Sequence, residues 1–145
     1  MIALVQRVSG AQVSVAGQVI GAIGRGLLVF VCAEPHDDES SAARLVAKLL
    51  KLRIFADDVG LMNHSVQDVA GGLLIVSQFT LAADTSRGNR PGFTGAAPPA
   101  LGRALYETVL KLARESHPAT AAGEFGADMQ VQLVNDGPVT IPLRV

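Results

Sequence analysis

Apolar and polar residues alternate at the start of the chain in the period of half-buried strands. The segments IALVQRV (2–8) and AQVSVA (11–16) both follow this pattern. Ala16-Gly17 predicts a tight hairpin turn into a third strand, QVIGAIG (18–24). The run Leu27–Cys32 is apolar throughout, which is typical of a strand covered on both faces.

Two later segments change to the helical period. The first, PHDDESSAARLVAKLLKLRIF (35–55), opens with acidic side chains and ends with basic ones, the order that the helix dipole favours. The second predicted helix covers Ala100–Ser116. The apolar stripes of the two helices consist of Leu45, Val46, Leu49 and Leu52, and of Leu101, Leu105, Val109 and Leu112.

The remaining segments predict further strands and one long loop. Residues 53–66 indicate a short strand, a turn and a loop, and Leu73–Val76 indicates a buried strand. The loop 85–99 is rich in Gly and Pro, and a loop this long in a compact domain is usually functional or mobile. The chain ends with strands predicted near GEFGA (123–127), MQVQLV (129–134) and VTIPLRV (139–145).

This order predicts a single layered α/β domain over residues 1–145. Two helices cannot cover both faces of so many strands, so we expect an α/β/β arrangement. Its sheet would be curved and mostly antiparallel or mixed, with the two main helices on one side. A second copy of the chain would then be available to cover the other face of the sheet.

Composition and charge narrow the class of protein. Hydrophobic residues make up 49% of the chain and charged residues 17%, which is typical of a globular protein. The net charge of −1 and the absence of a long Lys/Arg run indicate that any contact with RNA is local. We expect a cytoplasmic protein, because the sequence has no signal peptide, no membrane-spanning run and no cysteine pair.

The sequence lacks the usual catalytic and cofactor motifs. The three histidines, His36, His64 and His117, have no metal-binding spacing, and His36 and His117 suggest surface or capping roles near helix ends. No nucleophile elbow or phosphate-binding loop is present. The apolar flanks of Cys32 favour a small buried side chain over a nucleophile. We therefore expect no metal and no cofactor.

Three polar insertions remain as candidate sites, each with an alternative interpretation. Ser77–Thr80 (SQFT) follows a buried strand and is either a reactive strand end or an ordinary strand edge. Arg87–Phe93 (RGNRPGF) carries two arginines that either hold a phosphate or are merely solvated. Asn135–Thr140 (NDGPVT) places Gly-Pro where two strands should meet, so it is either a cis peptide element or an edge-strand turn.

Together these segments resemble the D-aminoacyl-tRNA deacylases, also known as D-tyrosyl-tRNA deacylases. The resemblance runs nearly from end to end, and its most specific parts are SQFTLAAD (77–84) and NDGPVT (135–140). The other matching segments are VQRV (5–8), IGRGLLVFV (23–31), RIFAD (53–57), MNHSV (62–66), the continuation TSRGNRPGF (85–93), ALYE (104–107) and ADMQVQLV (127–134).

The resemblance implies a homodimer with pockets at the subunit interface and the aminoacyl end of tRNA as substrate. Each pocket would be built around the strand end and entered by the Gly-cisPro element of the neighbouring subunit. Gly102 departs from the alanine common in the family and would enlarge the pocket. The resemblance assigns catalysis to Ser77, Gln78, Phe79 and Thr80, chiral selection to Gly137, Pro138, Met129 and Gly102, and support or tRNA contact to Arg7, Arg87 and Arg90.

The implied reaction is hydrolysis of the ester of D-aminoacyl-tRNA, with L-aminoacyl-tRNA rejected. Glycyl-tRNA mischarged on tRNA-Ala is also an expected substrate, because glycine has no side chain to exclude. Thr80 is the nucleophile candidate by residue type, but positioning is favoured because no general base lies nearby in sequence. The alternatives are a non-catalytic module that binds the tRNA 3′ end and a dimer that binds a small molecule.

Overall fold

The predicted hairpin forms at the start of the chain in the computed structural model, which describes residues 1–145. Strand β1 (Ile2–Val15) is continuous, so the prediction of two separate strands was wrong. It continues because the last strand of the chain pairs with it on both sides of Gly10. The turn at Ala16-Gly17 has φ values of 49° and 80° and leads into β2 (Gln18–Ile23), as predicted.

Most of the later elements lie where the sequence predicts them. One exception is GEFGA, which forms a turn after a short strand rather than a strand; Gly126 in this turn has a φ of 80°. The other is the end of the chain, where the two predicted strands at 129–134 and 139–145 form one strand. The elements are β3 (Gly26–Cys32), α1 (Glu39–Lys51), β4 (Phe55–Ala56), β5 (Met62–His64), β6 (Gly72–Ser77), a 3-10 helix (Phe79–Ala82), α2 (Pro99–Ser116), β7 (Thr120–Ala122) and β8 (Met129–Arg144).

Six strands form one mixed sheet in the order β2-β1-β3-β6-β7, with β8 also paired to β1. β1 is antiparallel to β2, β3 and β8, whereas β6 is parallel to both β3 and β7. The sheet curls until β2 approaches β7: a Cβ on Gly21 would lie only 2.7 Å from the carbonyl oxygen of Ala122. The sheet is therefore nearly barrel-like, and the only separate sheet is the small β4-β5 hairpin.

Both helices pack on the same face of the sheet, as predicted. Alternate residues of β3 divide between two cores: Leu27 and Val29 face the helices, and Leu28 faces the inside of the curl. The smaller core inside the curl consists of Val8, Ala11, Val13, Leu28, Leu74 and Val76. The second face is thus partly covered by the sheet's own curvature.

The ends of the helices follow ordinary capping chemistry. Asp38 caps α1 by accepting a hydrogen bond from the Ser41 N–H at 2.9 Å. α2 begins after Pro98, with Pro99 at its first position, where the missing N–H has no consequence. Neither helix is both long and apolar enough to cross a membrane.

Candidate functional site

The SQFT segment lies where two parallel strands end. Ser77 is the last residue of β6 and is paired with Val31 of β3. The Gln78 N–H donates to the Val31 carbonyl at 2.8 Å, and the chain then turns into the 3-10 helix. Because parallel strands end at the same edge of a sheet, this edge is a common position for ligand sites.

A cavity of about 770 Å³ opens at this edge. It lies between the strand ends, the loop before α2 and the turn before β8. Five predicted site residues line it, namely Ser77, Gln78, Phe79, Gly102 and Met129. Its lining is mainly apolar, and Asp128 is the only lining residue with a charged side chain. A volume of this order is typical of small-molecule sites.

Thr80, by contrast, does not line this cavity. It lies in the 3-10 helix, and its hydroxyl accepts a hydrogen bond from Gln78 Nε2 at 2.6 Å. No other side chain, and so no histidine or carboxylate, is hydrogen-bonded to this hydroxyl. The position therefore suits a residue that orients Gln78 better than an activated nucleophile.

The loop that carries Arg87 and Arg90 is closed at its base and packs beside the cavity. Asp84 and Gly92 exchange two backbone hydrogen bonds of 2.8 Å, which close the base of the loop. The rings of Phe79 and Phe93 meet edge to face, with centroids 5.0 Å apart. At the exposed tip, Arg87 and Arg90 form no ion pair within the chain and do not line the cavity.

Tyr106 and Phe125 are part of the cavity wall that sequence reasoning missed. The Tyr106 hydroxyl donates to the Ile75 carbonyl at 2.9 Å and also contacts the Gly123 carbonyl at 3.1 Å. Burial raises the pKa of Tyr106 to about 12, so the phenol stays neutral and structural. The sequence did not indicate Phe125 as a lining residue, because the pattern of GEFGA predicts a strand.

Cys32 is buried in the cavity wall, as its apolar flanks predict. Its thiol contacts the carbonyl oxygens of Ala33 at 3.3 Å and Phe79 at 3.5 Å. Burial raises the pKa of this thiol above its ordinary value. A neutral, buried thiol is a poor nucleophile.

The NDGPVT segment forms a bulge at the edge of the sheet. The pairing of β8 with β1 passes from Gln6–Thr140 to Val8–Asn135, so the residues between them are outside the ladder. The Gly137-Pro138 bond is cis, and both residues are exposed. Neither lines the cavity of its own chain. Residues that the resemblance assigns to one pocket thus lie in two places on the chain.

Arg7 holds this bulge in place. Its Nε donates to the Asp136 carbonyl at 2.8 Å, and its Nη1 donates to the Ile54 carbonyl at 2.6 Å. The Arg7 side chain is only 15% exposed. Asn135 completes the support, because its Oδ1 accepts from the Val139 N–H at 2.8 Å. The bulge is therefore held by hydrogen bonds at both ends.

The position of Gly102 has room for a methyl group. A Cβ there would lie 3.6 Å from Phe125 Cζ, which is ordinary van der Waals contact. An alanine methyl group would therefore fit beside Phe125 without displacing it, and glycine leaves that space open. Met129 also lines the cavity and packs closely on Gly123, because a Cβ on Gly123 would lie only 2.7 Å from Met129 Sδ.

No three His, Cys, Asp or Glu side chains are grouped in a way that would hold a metal ion. His117 ends α2 with its backbone N–H bonded to the Ala113 carbonyl, as a capping role requires. Its ring is buried rather than on the surface, with Nε2 2.7 Å from the Gly71 carbonyl. The ring is fixed to the loop before β6 and plays no part in the cavity.

The chain is similar along its whole length to proteins of known family. The family model described as D-Tyr-tRNA(Tyr) deacylase matches residues 4–144. A D-aminoacyl-tRNA deacylase of Aromatoleum aromaticum is 68% identical, over 100% of this chain and 95% of the relative. A D-aminoacyl-tRNA deacylase of Variovorax paradoxus is 65% identical, over 100% of this chain and 99% of the relative.

Two solved structures share the fold. One, described as c-Myc DNA Unwinding Element Binding Protein, has a TM-score of 0.95 and 40% identity, over 100% of this chain and 99% of that one. The other, described as a probable eukaryotic D-amino acid tRNA deacylase, has a TM-score of 0.88 over 98% of this chain and 97% of that one. At 16% identity, the second likeness concerns the fold alone.

Proposed function

We infer that this chain, which belongs to the D-Tyr-tRNA(Tyr) deacylase family, is an enzyme that hydrolyses the ester bond of D-aminoacyl-tRNA. Water adds to the ester carbonyl and the bond to the ribose oxygen breaks. The products are the free D-amino acid and tRNA with a free ribose hydroxyl. The observation that carries this proposal is the mainly apolar cavity around Ser77, Gln78 and Phe79, which has the size to hold an aminoacyl group and the terminal nucleoside.

The reaction needs little from ionisable side chains. An aminoacyl ester is already activated, so the main requirements are orientation and stabilisation of the oxyanion. We assign the second role to backbone N–H groups at the start of the 3-10 helix, foremost that of Phe79, which lines the cavity. The first N–H groups of a helical turn have no acceptor within the helix, and Gln78 provides no side-chain cap for this one.

The pocket is completed by a second copy of the chain in a homodimer. Gly137 and Pro138 are exposed at the sheet edge and do not line their own cavity, which supports a role in the cavity of a partner. β8 is hydrogen-bonded only to β1, so its other edge is unpaired and available for association. Arg7 supports the element through Asp136.

Chiral selection depends on a rigid wall formed by the backbone of the Gly137-Pro138 element. Both enantiomers bury the same groups, so attraction alone discriminates poorly, and a rigid wall that clashes with the L side chain is more effective. The carbonyls of the Gly137-Pro138 element accept hydrogen bonds from the substrate ammonium, while Met129 and Gly102 set the size of the pocket. Glycyl-tRNA mischarged on tRNA-Ala is accepted, because glycine has no side chain to exclude.

Arg87 and Arg90 contact the tRNA backbone. Both are exposed on a loop whose base packs on the cavity through Phe93, so their charges are available to phosphates. The substrate also places the enzyme in the cytoplasm, where aminoacyl-tRNA is made and used.

The function is tested by the chirality of the substrate. The protein is incubated with D-tyrosyl-tRNA and with L-tyrosyl-tRNA, and the loss of each ester is followed. We expect rapid loss of the D ester and no acceleration for the L ester. Binding of tRNA without hydrolysis would instead indicate a non-catalytic module for the tRNA 3′ end. Equal loss of both esters would refute chiral selection.

The role of Thr80 has a separate test. Thr80→Ala removes one hydrogen bond from Gln78, which is worth about 1 kcal/mol, or roughly fivefold in rate. We therefore expect the variant to keep a substantial part of its single-turnover rate on D-tyrosyl-tRNA. A nearly complete loss with an unchanged melting temperature would make the Thr80 hydroxyl the nucleophile. Thr108→Ala is the matched control, because the Thr108 hydroxyl also makes one hydrogen bond, to the Ala104 carbonyl of its own helix.

A further inference from the structure

We propose that Arg103 binds a backbone phosphate of the single-stranded tRNA 3′ end as that end enters the cavity. This inference rests on the proposed function and adds a contact that the sequence patterns do not indicate. Arg103 follows Gly102 on α2, one residue beyond the cavity lining.

The charge of the cavity favours such a contact outside the lining. Asp128 is the only lining residue with a charged side chain, and its charge is negative. The tRNA end is a polyanion, and its affinity for proteins comes largely from Lys and Arg at phosphates. With a net charge of −1, the chain supplies no general attraction. A cation beside the cavity, in addition to Arg87 and Arg90, would therefore offset repulsion by Asp128.

Arg103 is held at this rim by an aromatic ring. Its guanidinium carbon lies 4.8 Å from the centroid of Phe125, a residue that lines the cavity. Its Nη2 is 3.4 Å from the Phe125 carbonyl and would be 4.0 Å from a Cβ on Gly126, another lining residue. These contacts fix the guanidinium beside the cavity while one face of Phe125 supports it.

Most donors of this guanidinium remain free. Its ion-pair partner is Glu107, at 3.9 Å, and the two side chains are 56% and 64% exposed. So exposed a pair is weak and is readily exchanged for a better anion. Arginine has five N–H donors in a planar fork that matches phosphate oxygens. Because the Arg103 guanidinium already stacks on Phe125, its side chain loses less conformational entropy when a phosphate is bound.

Arg103 lies beside a different lining residue from the two arginines of the loop. Arg87 and Arg90 are exposed on the loop that leads to Phe93, whereas Arg103 stacks on Phe125. Phe93 and Phe125 both line the cavity. A strand that places its terminal nucleoside in the cavity thus has Arg103 available as a phosphate contact in addition to the arginines of the loop.

The test compares Arg103→Gln with Arg114→Gln. Arg114 is on the same helix, about 16 Å further along it, and the charge change is the same. Binding of uncharged tRNA is measured over a salt series. We expect Arg103→Gln to weaken binding about fivefold and to reduce the slope of log K against log salt by about 0.7 to 0.9, and Arg114→Gln to change neither.

A second arm separates phosphate binding from support of Phe125. The KM and kcat of Arg103→Gln are measured with D-tyrosyl-tRNA and with D-tyrosyl-adenosine, which has no phosphate. We expect a raised KM for the tRNA substrate that exceeds any change with the adenosine ester by about fivefold. An unchanged salt slope, or equal impairment with both substrates, would overturn the inference. The binding arm needs no catalysis, so it still decides this inference if the chirality test fails.

Discussion

Gly137→Ala is expected to lower the single-turnover rate on D-tyrosyl-tRNA by about a hundredfold, the loss that a 1 Å misplacement in a site can cause. A Cβ at this position would lie 2.6 Å from the Val139 nitrogen and 2.7 Å from Val139 Cγ2. The φ of 156° is also one that side chains rarely adopt. The bulge must therefore shift to accept a methyl group, and the carbonyls that we assign to the substrate ammonium shift with it.

Gly10→Ala provides the matched control for this experiment. Gly10 lies in β1 opposite the same strand, but its nearest contact for an added Cβ is the Ile23 carbonyl oxygen at 3.7 Å. The control should fold normally and keep its rate. The bulge is exposed and outside the ladder, so Gly137→Ala should keep its circular dichroism spectrum and a cooperative melting transition. A folded Gly137→Ala with the wild-type rate would show that this backbone does not contact the substrate.

The sequence predicts the sheet and helices well where the apolar period is strong. The apolar run Leu27–Cys32 predicts a strand covered on both faces, and the structure places Leu27 and Leu28 in different cores. The change from acidic to basic residues along 37–51 predicts a helix with its N-terminus at the acidic end. The structure has this helix at Glu39–Lys51, and Asp38 forms its N-terminal cap. These features are local, so the residues that determine them are neighbours in the sequence.

The errors concern features that depend on distant partners. β1 is one strand because β8 pairs with both of its halves, which neither segment of β1 indicates by itself. The turn at 123–127 contains Phe125 between small residues, a pattern that also suits a strand. Its true conformation places Phe125 against Tyr106, with centroids 5.9 Å apart, and so builds a cavity wall that no local pattern shows.

The predicted site residues also fall into two groups, those that line the cavity and those that do not. Resemblance to a family indicates Ser77, Gln78, Phe79, Met129 and Gly102, and the folded chain brings all five to one cavity. It also indicates Thr80, Gly137, Pro138, Arg7, Arg87 and Arg90, none of which lines the cavity of the same chain. The resemblance implies that the Gly-Pro element enters the neighbouring subunit, but the residue pattern by itself does not distinguish contacts within one chain from contacts between two. An experiment must therefore decide whether the Gly137-Pro138 element acts in the cavity of a second subunit.

Two inactive variants are expected to restore activity to each other when they are co-expressed. The first is Gly137→Ala, which keeps an intact cavity. The second is Gly102→Phe, which keeps an intact Gly137-Pro138 element and fills the cavity; a Cβ at Gly102 meets nothing nearer than Phe125 Cζ at 3.6 Å. If the element enters the partner's cavity, each mixed dimer contains one pocket with both parts intact and one with both parts altered.

The expected recovery is about a quarter of the wild-type rate, because about half of randomly formed dimers are mixed and each has one working pocket of two. Native mass spectrometry identifies the mixed dimer by its mass, and each variant expressed alone gives the baseline. An element that acted on its own cavity would restore nothing, since neither chain would then have both parts intact. A mixed dimer without activity, or no dimer at all at micromolar concentration, would therefore refute the shared pocket. Recovery in the mixed dimer alone would place Gly137-Pro138 of one subunit and Ser77–Phe79 of the other in the same site.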